Sequence, residues 1–281
     1  MACSSSSKEA PADPLAEASL ALDAGSARRV VTALAPLKER TGEALALELV
    51  ALTELSEWGR VEAQLGKLTG PEKDAVLCVF GAARRDVTAD RVCRERSVVP
   101  KNPALDDAAV RAWARVAEDE QRLAEGELRL RELVSKRPTI ANRKAFVAYL
   151  ERNGFVAEAV VEVEAWRTAE PQDPTLEGKL LGLLERKVRG DLLERRNEDA
   201  EKAARRILEL DPKRQQIRYF LADALEQKGD KVGADKERAA AQAAGAKPPP
   251  APDSFPGLEA GPGHQKPAPP GLPGHDHDHD H

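Results

Sequence analysis

Residues 200–230 read AEKAARRILELDPKRQQIRYFLADALEQKGD, and this stretch decides the fold class. Its apolar residues recur every three or four positions on both sides of Asp211-Pro212, which is the spacing of amphipathic helices. A proline disfavours helical geometry at the preceding residue, so Asp211 ends the first helix. Gly229 supplies the left-handed turn that ends the second helix. The two apolar stripes are Ala200, Ala203, Ala204, Ile207 and Leu208, and then Ile217, Phe220, Leu221, Ala224 and Leu225.

The same spacings between small residues and helix-ending residues recur along the chain. Gly126, Ala159 and Ala200 each precede a proline by twelve positions, and Gly154 and Gly229 each precede an alanine by five. Such a recurrence indicates that one supersecondary unit is stacked repeatedly. No alternating run of β-branched residues bounded by turns predicts a strand. We therefore predict an all-α chain of antiparallel helix pairs.

These units resemble the tetratricopeptide repeat (TPR), which has small residues where helices cross, a turn between helices A and B, and a proline after helix B. Ala222, Gly229 and Ala234 stand at such positions in the last unit, and Pro212 and Pro171 end earlier ones. The resemblance implies a right-handed α-solenoid, and residues 13–245 divided by about 34 give six or seven helix pairs. It implies protein–protein binding by a scaffold or adaptor.

Composition divides the chain into four regions. Residues 1–13 form a Ser- and Pro-rich leader, residues 14–100 a degenerate helical-repeat half, residues 104–245 the clearer TPR-like repeats, and residues 246–281 a tail rich in Pro, Gly, His and Asp. The leader and the tail hold too few apolar residues to build a core, so we expect both to be disordered. Only 4% of the residues are aromatic, which suits the shallow core of stacked helix pairs.

Some local features admit two interpretations. Residues 105–137 form either a helix pair or one long helix, because no breaker separates Glu118 from Gln121. The extra residues between 174 and 197 either lengthen one helix or insert a loop. Turns between paired helices are expected at Gly25 and at Gly59. The three tryptophans, Trp58, Trp113 and Trp166, are expected in the core.

The TPR resemblance also implies a concave groove lined by helix A residues. By register these are Lys144, Glu151 and Arg152 in one unit, and Gln216, Tyr219, Asp223 and Glu226 in a later one. Tyr219 is the candidate anchor because it combines apolar area with a hydroxyl, or else it packs on the neighbouring helix pair. Ala148 stands where peptide-carboxylate-binding members of the family carry a polar side chain, which argues against recognition of a chaperone C-terminus.

The cysteines bear on the cellular location. The start Met1-Ala2-Cys3, followed by four serines, resembles the mature end of a bacterial lipoprotein with an added methionine, its signal removed and Cys3 lipidated. The alternative is that Cys3 is a plain thiol in the leader. Lipidation implies the periplasmic face of the cell envelope, at the outer membrane because Ser4 follows; otherwise we expect a cytoplasmic protein.

Cys78 and Cys93 lie symmetrically about Arg85-Asp86, between two short predicted helices. Antiparallel helices would bring the two cysteines near each other. In an exported chain a disulfide is expected, whereas in a cytosolic chain both are buried thiols.

Charge and histidine placement argue against two classes of function. The net charge of −5 leaves no global positive field for nucleic acid. All five histidines lie at or beyond position 264, so the body has none for acid–base or triad chemistry. We therefore expect a non-enzyme without a required cofactor, whose partner is another protein's peptide segment or helix, and which meets the membrane only through a lipid on Cys3.

The tail carries a second candidate function. His275, His277, His279 and His281 alternate with aspartates, so an extended backbone places the four imidazoles on one side. Imidazole suits Zn, Cu or Ni. The tail is therefore either the ion site of a periplasmic divalent-metal-binding protein or an incidental His-rich segment.

Overall fold

The computed structural model describes residues 13–96 and 98–249. Within these residues the chain is all-α, with 14 helices and no strand. In chain order the helices are α1 (Pro14–Asp23), α2 (Ala27–Leu34), α3 (Gly42–Glu54), α4 (Trp58–Leu65), α5 (Gly70–Arg84), α6 (Ala89–Arg94), α7 (Pro103–Asp119), α8 (Leu123–Lys136), α9 (Ile140–Arg152), α10 (Val156–Ala169), α11 (Pro174–Leu193), α12 (Asn197–Leu210), α13 (Ile217–Gln227) and α14 (Lys231–Ala243). Cys3, the four tail histidines and the disorder expected of the leader and tail lie outside the described residues.

The turn inside each helix pair has one backbone geometry. One residue in each turn has a left-handed φ between 55° and 90°, and these residues are Gly25, Ser56, Arg85, Gln121, Gly154, Arg195 and Gly229. The N–H of the following residue donates to the carbonyl five positions before it, at 2.7–2.9 Å, in all seven turns. This bond is the 6→1 hydrogen bond of the Schellman motif, which satisfies the last carbonyls of a helix. Seven turns of one geometry thus join the fourteen described helices two by two, and the 204 residues from Gly25 to Gly229 make six intervals that average 34.

Four of these turns carry no glycine, which changes two expectations. Gln121 turns the chain between α7 and α8, so residues 105–137 form a helix pair. The turn predicted at Gly59 is wrong, because Gly59 lies inside α4 and Ser56 is the left-handed residue. The extra residues after Pro174 lengthen one helix, α11, which has 20 residues.

Two residues just outside the predicted helical regions form hydrogen bonds with the terminal helices. Asp13, placed in the leader, caps α1 by accepting the N–H of Leu15 at 3.0 Å. Ala246, placed in the tail, donates its N–H to the Ala241 carbonyl at 3.0 Å beyond the last helix. Both residues therefore belong to the folded part.

The chain divides into two compact units between residues 187 and 188. The predicted division at residues 100–104 lies inside unit 1, where one apolar core cluster continues from Ala18 in α1 to Trp113 in α7. Helix α1 contacts α7 and α9 as well as α2 and α3. In an array where each pair meets only its neighbours, α1 and α9 would not touch. The packing of unit 1 therefore departs from strict neighbour stacking.

Unit 2 contains α12, α13 and α14, with α13 in contact with both of the others. Nine of the ten residues of the two predicted apolar stripes are buried here, and only Leu208 is partly exposed. The helical periodicity predicted for residues 200–230 is thus confirmed.

Cys78 of α5 and Cys93 of α6 are joined as a disulfide in the structure, and both residues are buried. The bond closes a loop with a sequence separation of 15. Trp113 and Trp166 are buried, and Trp58 packs against the core cluster beside Phe80.

Helices α8 and α9 approach each other closely at Gly126 of α8. The Tyr149 side chain of α9 crosses over this glycine, and its hydroxyl donates to the Leu123 carbonyl at 2.7 Å. A Cβ atom at position 126 would lie 2.6 Å from Tyr149 Oη and 3.0 Å from two ring carbons. Only glycine therefore fits this crossing without displacing the ring.

We expect Gly126→Ala to lower the free energy of unfolding by about 1–3 kcal/mol, because overpacking outweighs the gain in helix propensity. Gly182→Ala in α11 is the matched control, since nothing lies within 4 Å of that position. It should raise stability by about 0.5–1 kcal/mol. Urea titration followed by circular dichroism measures both, and a Gly126→Ala protein as stable as the wild type would contradict the crossing.

The disulfide is tested by counting thiols in a Cys3→Ser protein, which leaves only Cys78 and Cys93. Alkylation in denaturant without reductant should modify neither cysteine, and alkylation after reduction should modify both. Mass spectrometry gives the count. Two alkylated cysteines before reduction would show that the bond is absent.

Candidate functional site

Unit 1 contains a concave cleft with a volume of about 570 Å³, lined mainly by α3, α5, α7 and α9. Much of its wall is alanine: Ala82, Ala83, Ala108, Ala112, Ala114, Ala141, Ala145 and Ala148. Small side chains leave room for the backbone of a ligand to approach the helices. We call this surface the cleft.

The charged residues that line the cleft are mostly basic. Four are cations, Arg111, Arg115, Lys144 and Arg152, and Glu54 is the one carboxylate among the lining residues. Since the chain as a whole has a net charge of −5, the cleft differs in sign from the average of the protein.

Glu54 is exposed by area, but it lies in a concave surface where protein atoms surround it. Desolvation raises the pKa of its carboxyl, and the charges of Arg111 and Arg115 oppose that rise. The carboxylate therefore offsets part of the positive charge contributed by these two arginines.

A network of polar side chains holds Arg111 in place. Its Nη1 donates to Asn142 Oδ1 at 2.6 Å, and Asn142 Nδ2 donates to Asp107 Oδ2 at 2.7 Å. Arg137 follows, with Nη1 3.2 Å from Asp107 Oδ2 and Nη2 donating to Asp23 Oδ2 at 2.7 Å. Desolvation lowers the pKa of Arg111, yet a guanidinium remains charged in proteins. The network thus connects α1, α7 and α9 behind a permanently positive cleft wall.

The other three cations differ in their partners. Arg152 binds Glu118 through two bonds, at 2.9 and 2.6 Å, which neutralises it. Arg115 and Lys144 are exposed, and neither forms a salt bridge with the residues the structure describes. These two side chains are the ones available to a ligand.

A smaller pocket of about 250 Å³ adjoins the cleft, and we call it the side pocket. Val147, Trp166 and Leu176 supply its apolar wall. Lys144 and Ala148 line both the cleft and the side pocket, so the two concavities share an edge on α9.

The structure brings together the predicted groove residues of α9. Lys144 and Arg152 line the cleft, while Glu151 lines the side pocket and forms salt bridges with Lys179 and Arg186. The predicted face of α9 is therefore a concave surface.

The predicted groove residues around α13 lie in unit 2, and three of them contact other residues of that unit. Tyr219 is 7% exposed, and its hydroxyl donates to the Ala246 carbonyl at 3.0 Å, so it packs within unit 2 and is not an exposed anchor. Asp223 and Glu226 both bind Arg238, and Gln216 directly precedes α13. Neither cavity described above includes any of these four residues.

Sequence reasoning missed Arg111, Arg115 and Glu54 because the repeat pattern is loose before residue 137. A signal did exist on α7. Arg111 and Arg115 are four positions apart, and Ala108 and Ala112 share their stripe, which is the pattern of one helix face lined by small and basic residues.

No profile of a known protein family matches this chain, and a search of curated proteins also finds no match. Over residues 13–96 and 98–249 the structure holds no group of three or more His, Cys, Asp or Glu side chains arranged to bind a metal. None of the helices in that same part combines the length and apolar character needed to span a bilayer.

Proposed function

We propose that this protein is a TPR-like adaptor, a right-handed α-solenoid that binds a segment of another protein in the cleft of unit 1. The observation that carries the proposal is the cleft itself, a concave surface of alanines and exposed cations formed by the first helices of successive pairs. The recurring turn supports the repeat architecture, because seven turns share one hydrogen-bond geometry at an average spacing of 34.

The chemistry of the cleft favours binding over catalysis. Its lining offers charge, small apolar side chains and the phenol of Tyr149, with no histidine or cysteine among the lining residues. Desolvation raises the pKa of Tyr149 to about 12, so its hydroxyl stays neutral and continues to hold the Leu123 carbonyl. The charge and the small side chains of the lining therefore support a binding role for the cleft.

We further propose that the protein is a lipoprotein of the cell envelope, anchored through Cys3. The Ser-rich leader after Cys3 supplies a tether, and the disulfide between Cys78 and Cys93 suits an oxidising compartment. The folded units would then face the periplasm.

The adaptor function is tested by affinity purification from an envelope extract with the full chain as bait. The cleft variant carries Arg115→Glu with Lys144→Glu, and the control carries Arg29→Glu with Lys67→Glu, which makes the same charge change at exposed residues outside the cleft. A partner should be retained by the wild type and the control and depleted at least about tenfold by the cleft variant, because reversed charges repel it. Quantitative mass spectrometry reads the result, and equal recovery by all three baits would contradict the proposal.

The second candidate function is divalent-metal binding by the tail, favoured by the alternation of His275, His277, His279 and His281 with aspartates. Calorimetric titration with Zn²⁺ compares the full chain with a chain that ends at Lys247. Heat of binding is expected only from the full chain, with modest affinity because the tail must be ordered around the ion. Equal heats from the two proteins would eliminate the tail site.

A further inference from the structure

We infer that the partner segment is acidic, with two carboxylates placed on Arg115 and Lys144 and a neighbouring aliphatic side chain inserted in the side pocket. This inference rests on the adaptor function proposed above and adds the chemical class of the partner. It follows from three features of unit 1: the charge of the cleft, the position of its exposed cations on two helices in contact, and the apolar pocket beside them.

The charge of the cleft selects against basic and neutral segments. Of the five charged lining residues only Glu54 is acidic, and it faces the charges of Arg111 and Arg115. Arg152 is already satisfied by Glu118. Glu54 offsets part of the charge of Arg115, and Asp173 is close enough to feel the charge of Lys144, but no salt bridge among the described residues holds either cation. The positive charge open to a partner is therefore at Arg115 and Lys144, and complementary charge is what fixes partner choice and register at an interface.

The position of these two cations on adjacent helices suits an extended peptide. Arg115 lies on α7 and Lys144 on α9, and these two helices are in contact. Axes of packed helices are about 8–10 Å apart. In an extended chain, residues two positions apart lie on one side and about 7 Å from each other. Long flexible cations bridge the difference, so the expected pattern is an acidic residue, any residue, and a second acidic residue.

The side pocket supplies an anchor next to this pair. Lys144 belongs to both concavities, so a carboxylate on Lys144 brings the next side chain on the same side of the extended peptide, two positions away, to the opening of the side pocket. Val147, Ala148, Trp166 and Leu176 form an apolar wall there. An aliphatic side chain that enters this volume buries its surface and holds the peptide in one register.

A small free anion would use the cations and leave the side pocket empty. Nucleic acid would gain little from the apolar wall. A neutral helix would fill the pocket without using Arg115 or Lys144. Only an acidic segment with an aliphatic residue uses both features, and the competing ligands become outcomes of the test.

The test is selection of a random twelve-residue peptide library displayed on phage against the full-length protein. Enriched sequences should contain two acidic residues separated by one position, with an aliphatic residue two positions from one of them. Enrichment of basic or neutral peptides would overturn this inference while leaving peptide binding by the adaptor intact. Failure to enrich any peptide would overturn both, and so the two failures are distinguishable.

Fluorescence anisotropy of the most enriched peptide then assigns the site. Binding should weaken at least about tenfold in the Arg115→Glu, Lys144→Glu variant and should be unchanged in the Arg29→Glu, Lys67→Glu control. It should also weaken as salt rises from about 0.05 to 0.5 M, since the exposed charges become screened. Unchanged affinity in the cleft variant would place the peptide elsewhere and overturn the inference.

The side pocket is tested separately by Ala148→Leu, which fills the edge that the two concavities share. Ala157→Leu is the matched control, because residue 157 is an exposed position of α10 outside both. The first variant should weaken the peptide several-fold, and circular dichroism should show both proteins folded. Equal affinities for the two variants would remove the anchor from the inference, and inorganic phosphate that competes fully with the peptide would show that a simple anion site suffices.

Discussion

The contacts of Arg137 hold unit 1 in the arrangement on which its cleft depends. This guanidinium, which follows α8, meets Asp23 at the end of α1 and Asp107 in α7. Without it, Asp23 and Asp107 would lose the cation that contacts both carboxylates, which is costly in a poorly solvated place. Desolvation already raises the pKa of Asp107, and the negative charge of Asp23 raises it further, against the lowering effects of Asn142, Arg137 and Arg111. The folded state therefore binds the Asp107 proton more tightly than the unfolded chain does, so this residue's contribution to stability declines as pH rises through the raised pKa.

This network links the packing of unit 1 to its binding surface. Asn142 bonds to Asp107 on one side and to Arg111 on the other, so the same amide that bridges α7 and α9 also positions a cation of the cleft. Gly25, in the turn between α1 and α2, lies beside Ala141 of α9 and lines the cleft as well. The contact of α1 with α9 thus builds part of the cleft wall, although these helices are far apart in sequence.

The sequence predicted the elements whose causes are local. The apolar stripes of α12 and α13 are buried as their spacing indicates, and Gly25, Gly154 and Gly229 mark turns because glycine adopts a left-handed φ at little cost. The turn at Gln121 was not predicted, because glutamine is not a residue type that indicates a turn. The Asp23–Arg137 contact joins positions 114 apart in the chain, and no periodic pattern carries that information.

The residues of the candidate site were also predicted only where the local sequence pattern is clear. Lys144 and Arg152 were predicted because α9 follows the repeat register closely enough to assign a face. Arg115 was not predicted, because α7 lies where the chain follows the repeat register only loosely. Tyr219 was a poor anchor because its hydroxyl is engaged by the backbone of Ala246, a residue the composition had assigned to the tail.

The non-glycine turns carry an evolutionary consequence. Ser56, Arg85, Gln121 and Arg195 each hold a conformation that costs an L-residue with a Cβ roughly 1 kcal/mol. Ser56 lines the cleft, whereas Arg85, Gln121 and Arg195 lie outside its lining, so relief of the strain at these three turns would add stability without changing a lining residue. A lineage under thermal selection could gain heat resistance by acquiring glycine at these corners, one at a time, while its recognition surface stayed unaltered.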